Sequence, residues 1–156
     1  MSSSLEILAL LAGSVVLAGL AVASPGPAES GPQPPVHLRC EYLVNPPGLD
    51  VREPRFAWVL EHPERAEIQS AYQVVVSSDR AADKGDLWDS GKVASADSTQ
   101  VVYKGAALRR GTTYFWKVRW WDKEGRESPW SDVARFDTGL LEAADWKGAW
   151  IGGANE

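Results

Sequence analysis

From Val36 onward, apolar and polar residues alternate with a period of two. Val36, Leu38, Cys40 and Tyr42 share one parity and His37, Arg39 and Glu41 the other. That is the signature of a half-buried strand, because successive side chains point to opposite faces. Asn45-Pro46-Pro47-Gly48 then supplies a turn, through residues that preset or permit the required backbone angles. Phe56, Trp58 and Leu60 resume the alternation just after Pro54, and proline is tolerated where a strand begins. Tyr72, Val74 and Val76 form a third strand, which Val75 makes nearly continuous and therefore buried. Short strands are expected over 87–93 and 100–103, a long one over 112–122 and a last one over 131–138, with Lys123-Glu124-Gly125-Arg126 as the hairpin loop between the last two. Short strands separated by turn signals, with no helical periodicity among them, predict an all-β, seven-stranded antiparallel β-sandwich.

The first 35 residues obey other rules. Ile7 to Ala23 is an uncharged run that ends in the small-x-small string Ala21-Val22-Ala23, the form that signal peptidase reads. Glu6 precedes the run and no Lys or Arg does. The run is slightly short for a relaxed membrane span of about 20 residues. Residues 1–23 are therefore expected to be a hydrophobic signal helix, cleaved as a signal peptide or retained as an N-terminal anchor. Either outcome exports the rest of the chain to the periplasm or beyond, and the membrane is a partner only if the segment stays uncleaved. Residues 24–35 (SPGPAESGPQPP) have no apolar periodicity and read as a semi-extended linker. The sandwich then occupies 36–140 and a tail occupies 141–156.

Composition narrows the chemistry. A formal net charge of −5 argues against a nucleic-acid partner, which needs a basic face. Cys40 is the one cysteine, so no intrachain disulfide can form, and its place in the alternation makes it a small buried hydrophobe. His37 and His62 are isolated in sequence, no acidic string has calcium-loop spacing, and neither a glycine-rich phosphate loop nor a nucleophile elbow is present. No cofactor, metal or catalytic residue is expected on that basis. Asp86, Asp89, Asp122 and Glu124 sit at strand ends and turns, where carboxylates ordinarily cap backbone N–H groups or solvate a loop.

Aromatic residues raise a different question. In 112–122, Tyr114, Trp116, Val118 and Trp120 share the face expected to enter the core, while Phe115, Lys117, Arg119 and Trp121 share the other. That outer face is too aromatic for a freely solvated surface. It suits cation–π packing under Lys117 and Arg119, an interdomain contact, or a platform for stacking sugars. Phe115 and a partly exposed Trp121 are thus candidates for interdomain packing. So are Trp146 and Trp150, which lie beyond the last strand and could pack back on the sandwich or on a following domain.

Leu108-Arg109-Arg110-Gly111-Thr112-Thr113-Tyr114 resembles the fibronectin type III signature that precedes the sixth strand, with Arg110 where proline is usual. The resemblance implies a fibronectin type III/immunoglobulin-like fold in which Tyr114 is a structural corner residue. A narrower likeness runs in order through Leu38-Arg39-Cys40-Glu41-Tyr42, Pro54-Arg55-Phe56-Ala57-Trp58, Trp88-Asp89-Ser90-Gly91, Tyr114 to Asp122, Ser128-Pro129-Trp130-Ser131, Phe136-Asp137-Thr138-Gly139 and Trp150-Ile151-Gly152. Over about residues 36–152 the chain resembles the N-terminal domain of bacterial α-L-rhamnosidases. Members of that family are inverting glycosidases that release terminal L-rhamnose from plant glycosides, and their carboxylates lie in a helical barrel far downstream. The resemblance therefore implies a non-catalytic accessory module, truncated before the catalytic domain. Its implied partners are the following domains of the parent enzyme and, through them, plant-derived rhamnosides. A free-standing carbohydrate-binding or adhesion module is the alternative, and a glycosidase active by itself is a third.

Overall fold

The structure, a computed structural model, describes residues 31–142 together with 144, 147 and 148. The expected signal helix, most of the linker, Trp146 and Trp150 lie outside the described residues. The described chain is all-β, with eight strands in two antiparallel sheets. They are β1 (Val36–Cys40), β2 (Arg55–Val59), β3 (Ala71–Ser77), β4 (Trp88–Asp89), β5 (Val93–Ala94), β6 (Val101–Val102), β7 (Thr113–Trp121) and β8 (Ala134–Asp137).

One sheet runs β1-β2-β6; the other runs β4-β3-β7-β8, with β5 also on β3. The expected single strand at 87–93 is thus two short ones. β4 pairs with Val75 and Val76, and β5 pairs with Ala71 and Tyr72. Between them the chain turns through Gly91 at φ +61°, a conformation that glycine adopts without steric cost. The expected last strand also starts later, at Ala134, and its missing residues are replaced by a different kind of pairing.

That pairing recurs at three serines. Ser90 donates its backbone N–H to Val74 O at 3.0 Å and accepts the Val74 N–H on its hydroxyl at 2.9 Å. Ser128 treats Trp120 in the same way, at 2.8 and 3.1 Å. Ser131 does so with Val118, at 2.9 and 3.1 Å. Each hydroxyl then donates to the carbonyl of the next residue, Gly91, Pro129 or Asp132, at 2.8 Å. A hydroxyl both accepts and donates, so each serine satisfies the ladder where its own carbonyl points elsewhere. The buried N–H groups of β3 and β7 are thereby paired without a regular strand alongside them.

The core lies between the sheets, around Phe56. Its ring centroid stands 4.5 Å from that of Trp116, 5.9 Å from Phe136 and 6.3 Å from Trp88. Trp58 meets Tyr72 edge-on at 5.3 Å, and its indole N–H donates to Gln69 Oε1 at 3.1 Å. The Gln69 amide donates in turn to the carbonyls of Ser95 and Asp97, so this buried amide is tied at both ends. Val74, Val75 and Val76 are all buried, in keeping with the continuous apolar run. Cys40 is buried as well, and loss of solvation together with Glu41 beside it pushes the thiol well above its ordinary range. The fold therefore keeps it as a hydrophobe.

The linker boundary needs correction. Pro32 and Pro35 are buried. Gln33 donates its N–H to Glu61 O at 3.0 Å and accepts the Trp120 indole N–H on its carbonyl at 2.8 Å. The last residues of the Pro-rich stretch are part of the sandwich.

Replacing Ser131 by alanine leaves the buried Val118 N–H without an acceptor. The expected cost is about 1–3 kcal/mol, read as a lower urea midpoint with an unchanged denaturant slope; a variant as stable as the parent would remove the hydroxyl from this role.

Candidate functional site

The outer face of β7 holds a column of cations and indoles. The Arg119 guanidinium carbon stands 5.0 Å from the Trp121 ring centroid and 4.7 Å from that of Trp130. Lys92 Nζ covers Trp121 at 4.5 Å, and Lys117 Nζ reaches Trp130 at 5.3 Å. Of the three uses open to this face in sequence, cation–π packing is therefore the one formed within the chain. Arg119 is fixed further by Gln73 Oε1 at 3.0 Å and by Glu127 at 3.3 Å, and Lys117 pairs with Asp83 at 2.5 Å.

The expectation of a partly exposed Trp121 is overturned. It is 6 % exposed, because the Lys92 ammonium and the Arg119 guanidinium lie over its ring. Phe115 is half-buried on the same face, beside Val133 and Arg135. Tyr114 lies on the core face, and its hydroxyl accepts the Arg109 N–H at 2.7 Å. The chain is thus held five residues upstream, at the turn into β7.

The carboxylates are committed to structure. Asp86 accepts from the Ser77 and Ser78 hydroxyls and from the Ser78 N–H. These bonds hold its pKa down at about 2. Asp89 accepts from the Gln73 amide at 2.7 Å and the Gly91 N–H at 2.9 Å. Glu124 lies near Lys123 and Arg126 at the exposed hairpin tip.

Asp122 belongs to a cluster with His62 and Glu67, whose nearest ligand atoms all lie within 4.8 Å of one another. Sequence spacing hides this group, because about sixty residues separate its first member from its last. The donor set invites a metal reading, but the hydrogen bonds do not suit one. His62 Nδ1 accepts the Glu64 N–H at 3.0 Å, so a neutral ring carries its proton on Nε2. That N–H, rather than a lone pair, faces Asp122 Oδ2 at 3.9 Å. Both carboxylates already have cations: Arg126 Nε lies 2.7 Å from Asp122 and Lys123 Nζ 2.6 Å from Glu67. Burial opposes ionisation of Asp122, yet the bonds from Arg126 outweigh it and the net shift is downward. The Lys123 contact likewise lowers Glu67. Lys123 and Arg126 also reach Glu124 and Glu64, so two cations hold four carboxylates together here.

Two clefts remain. One of 530 Å³ lies where the chain leaves the last strand and is lined by residues of the 103–108 segment and by Leu141. Another, of 320 Å³, lies between the sheet edges near Tyr72, Trp88, Asp97 and Lys104.

Asp86, Glu67 and Asp122 titrate lower when folded than the ordinary range of about 3.9–4.3. Their stabilising contribution is therefore complete above that range and is lost as the pH falls through each lowered value, which for Asp86 is about 2. Urea unfolding across this interval should show the loss, and Asp86→Asn should be less stable at neutral pH with a shallower acid slope; an identical slope would refute the assignment. Arg119→Ala should cost about 1–2 kcal/mol through the two lost indole contacts and raise acrylamide quenching of tryptophan emission. Unchanged quenching would mean that Arg119 does not shield Trp121 or Trp130.

Comparison with known proteins accords with this arrangement. Residues 35–142 match the family described as the Rha78A-like, N-terminal immunoglobulin domain. An α-L-rhamnosidase of Streptomyces avermitilis is 46% identical over 112 residues, which are 71% of this chain and 11% of that protein. One of Formosa agariphila is 42% identical over 114 residues, 72% of this chain and 12% of that protein. The solved α-L-rhamnosidase from Dictyoglumus thermophilum superposes with a TM-score of 0.73 at 46% identity, covering 76% of this chain and 14% of that one. The chain thus spans about an eighth or less of the curated relatives it matches. From Pro35 to Glu142, it belongs to the family of immunoglobulin-like domains found at the N-terminus of α-L-rhamnosidases.

Proposed function

We propose that this chain is the non-catalytic N-terminal accessory domain of an exported α-L-rhamnosidase. The enzyme would be an inverting glycosidase that removes terminal L-rhamnose from plant-derived glycosides, with its catalytic carboxylates in domains downstream of this one. The observation that carries the reading is family membership at a small share of the relatives' length. Supporting it, Asp86, Asp89 and Asp122 are occupied by hydroxyl, amide or guanidinium donors. An inverting pair must instead flank a sugar with a water between them, about 6.5–9.5 Å apart. Export rests on the uncharged run Ile7–Ala23 and its small-x-small end. The domain's contribution is then positional: it covers and orients the parts of the enzyme that do the chemistry.

One feature favours a second reading, a free-standing carbohydrate-binding module. The cleft between the sheet edges is lined by Tyr72, Trp88, Asp97 and Lys104, a combination of aromatic and polar residues that suits a sugar. Titration of the purified chain with L-rhamnose in a calorimeter separates the two. The accessory reading predicts no measurable heat and no hydrolysis of a chromogenic rhamnoside. Binding that disappears in Tyr72→Ala would favour the second reading, and hydrolysis by pure protein would overturn both.

A further inference from the structure

The segment 31–35 is strapped onto the sandwich by two hydrogen bonds, and both end beside His62. Gln33 donates its N–H to Glu61 O at 3.0 Å, and its carbonyl accepts the Trp120 indole N–H at 2.8 Å. Pro32, Pro34 and Pro35 have no N–H to give, so the strap depends on Gln33. His62 follows Glu61 directly in the chain. Its ring stands edge-on to Trp120, with centroids 6.0 Å apart. Each partner of Gln33 is thus a neighbour of one imidazole.

That imidazole sits where its two protonation states need different surroundings. Its side chain is 4 % exposed. Nδ1 accepts the Glu64 N–H at 3.0 Å, which requires a lone pair there and hence a neutral ring. Nε2 is buried and has no hydrogen-bond partner among the described residues. Asp122 Oδ2, at 3.9 Å, is too far to be one. A protonated ring carries a donor on both nitrogens. The Glu64 N–H then loses its acceptor, and the charged Nε2–H gains Asp122 and Glu67 as targets. The other charged groups here are Lys123, Glu124 and Arg126 on the hairpin after β7, and Glu61 and Glu64 on the segment of His62 itself. Lys123 and Arg126 oppose the new charge; the strap brings no ionisable side chain. A cleft of 490 Å³ lined by Gln33, Leu60, Glu61, His62 and Pro63 lies alongside. It gives the proton a route from solvent and the ring room to turn.

We propose that His62 is a proton-operated clasp on the strap. Neutral, the ring fixes residues 61–64 through the Glu64 N–H and keeps Glu61 O and Trp120 in place for Gln33. Protonated, it gives up that N–H, turns toward Asp122 and lets Gln33 go. The clasp is therefore closed at neutral pH and opens as the pH falls through the interval in which a histidine gains its charge. Residues 31–35 join the sandwich to the chain that precedes it, so opening lengthens that connection and leaves the two sheets unchanged. The device concerns this chain alone and does not rest on the accessory-domain reading.

The test follows hydrogen exchange in the full chain by NMR, from about pH 8 to about pH 5. The Glu64 and Gln33 amides and the Trp120 indole N–H should each lose protection severalfold as the pH falls, with the midpoint at which the His62 ring protons shift. His62→Gln should abolish the response. His37→Asn, at an exposed position, leaves His62 as the only histidine and should keep it, so the assignment stands even where His62→Gln fails to fold. Gln33 protection that is constant across the interval overturns the proposal. So does a response that persists in His62→Gln or vanishes in His37→Asn. None of these readings depends on rhamnose, so rhamnoside assays and this test fail independently.

Discussion

Seven consecutive residue pairs join β3 to β7, from Ala71 opposite Trp121 to Ser77 opposite Phe115. Almost every other feature depends on that register. Because side chains alternate across a strand, a slip of one residue would exchange the two faces completely. Trp116, Val118 and Trp120, which have no exposed surface, would be turned to water, and Lys117 and Arg119 would enter the core. The penalty is several buried aromatics and two unpaired buried cations at once. Local irregularities elsewhere are tolerated because this pair does not move. β1 carries a bulge between Val36 and Arg39 with His37 at φ 52°, and Glu41 and Tyr42 also have positive φ. Such strain persists only where the surroundings over-determine the backbone, and here Arg55 binds Glu41 while Arg39 binds the Tyr42 carbonyl.

The central pair leaves a second problem, which the serines solve. A long strand flanked by short ones presents backbone groups that must be satisfied or blunted. Ser90 satisfies β3 and Ser128 and Ser131 satisfy β7, each binding one strand residue through both N–H and hydroxyl. The intervening residues are thereby released from strand geometry, and Trp130 can meet the Lys117 ammonium and the Arg119 guanidinium. Edge satisfaction and the cation–π column are two results of one sequence, Ser128-Pro129-Trp130-Ser131.

Those two devices also divide what periodicity reveals from what it hides. Alternation exposes β1, β2, β3 and β7, because burial on one or both faces leaves a period of two in the sequence. The split at Ser90-Gly91 and the late start of β8 are not legible, since a hydroxyl standing in for a carbonyl leaves no periodic trace. The burial of Trp121 escapes a reading of the strand alone because Lys92, distant in sequence, supplies part of its cover. His62, Glu67 and Asp122 meet only in three dimensions. Pro32 and Pro35 look like linker because proline composition is the same whether a segment is solvated or packed. Within the ordered series of short motifs, Tyr114 and Ser128-Pro129-Trp130-Ser131 are legible as a family likeness because they serve a corner and an edge of the fold.

Those demands also bear on what such a domain can contribute. Each carboxylate that stabilises a turn through strong hydrogen bonds is pulled toward permanent ionisation, whereas a general acid needs its pKa raised toward the working pH. The bonds that hold this sandwich together without a disulfide thus move its acids away from catalysis. Other contacts tie the chain where it leaves the last strand: the Tyr114 hydroxyl holds the Arg109 N–H, and Arg52 pairs with Glu142. Under the accessory role proposed above, such a module contributes surfaces and an exit direction rather than an acid or a base.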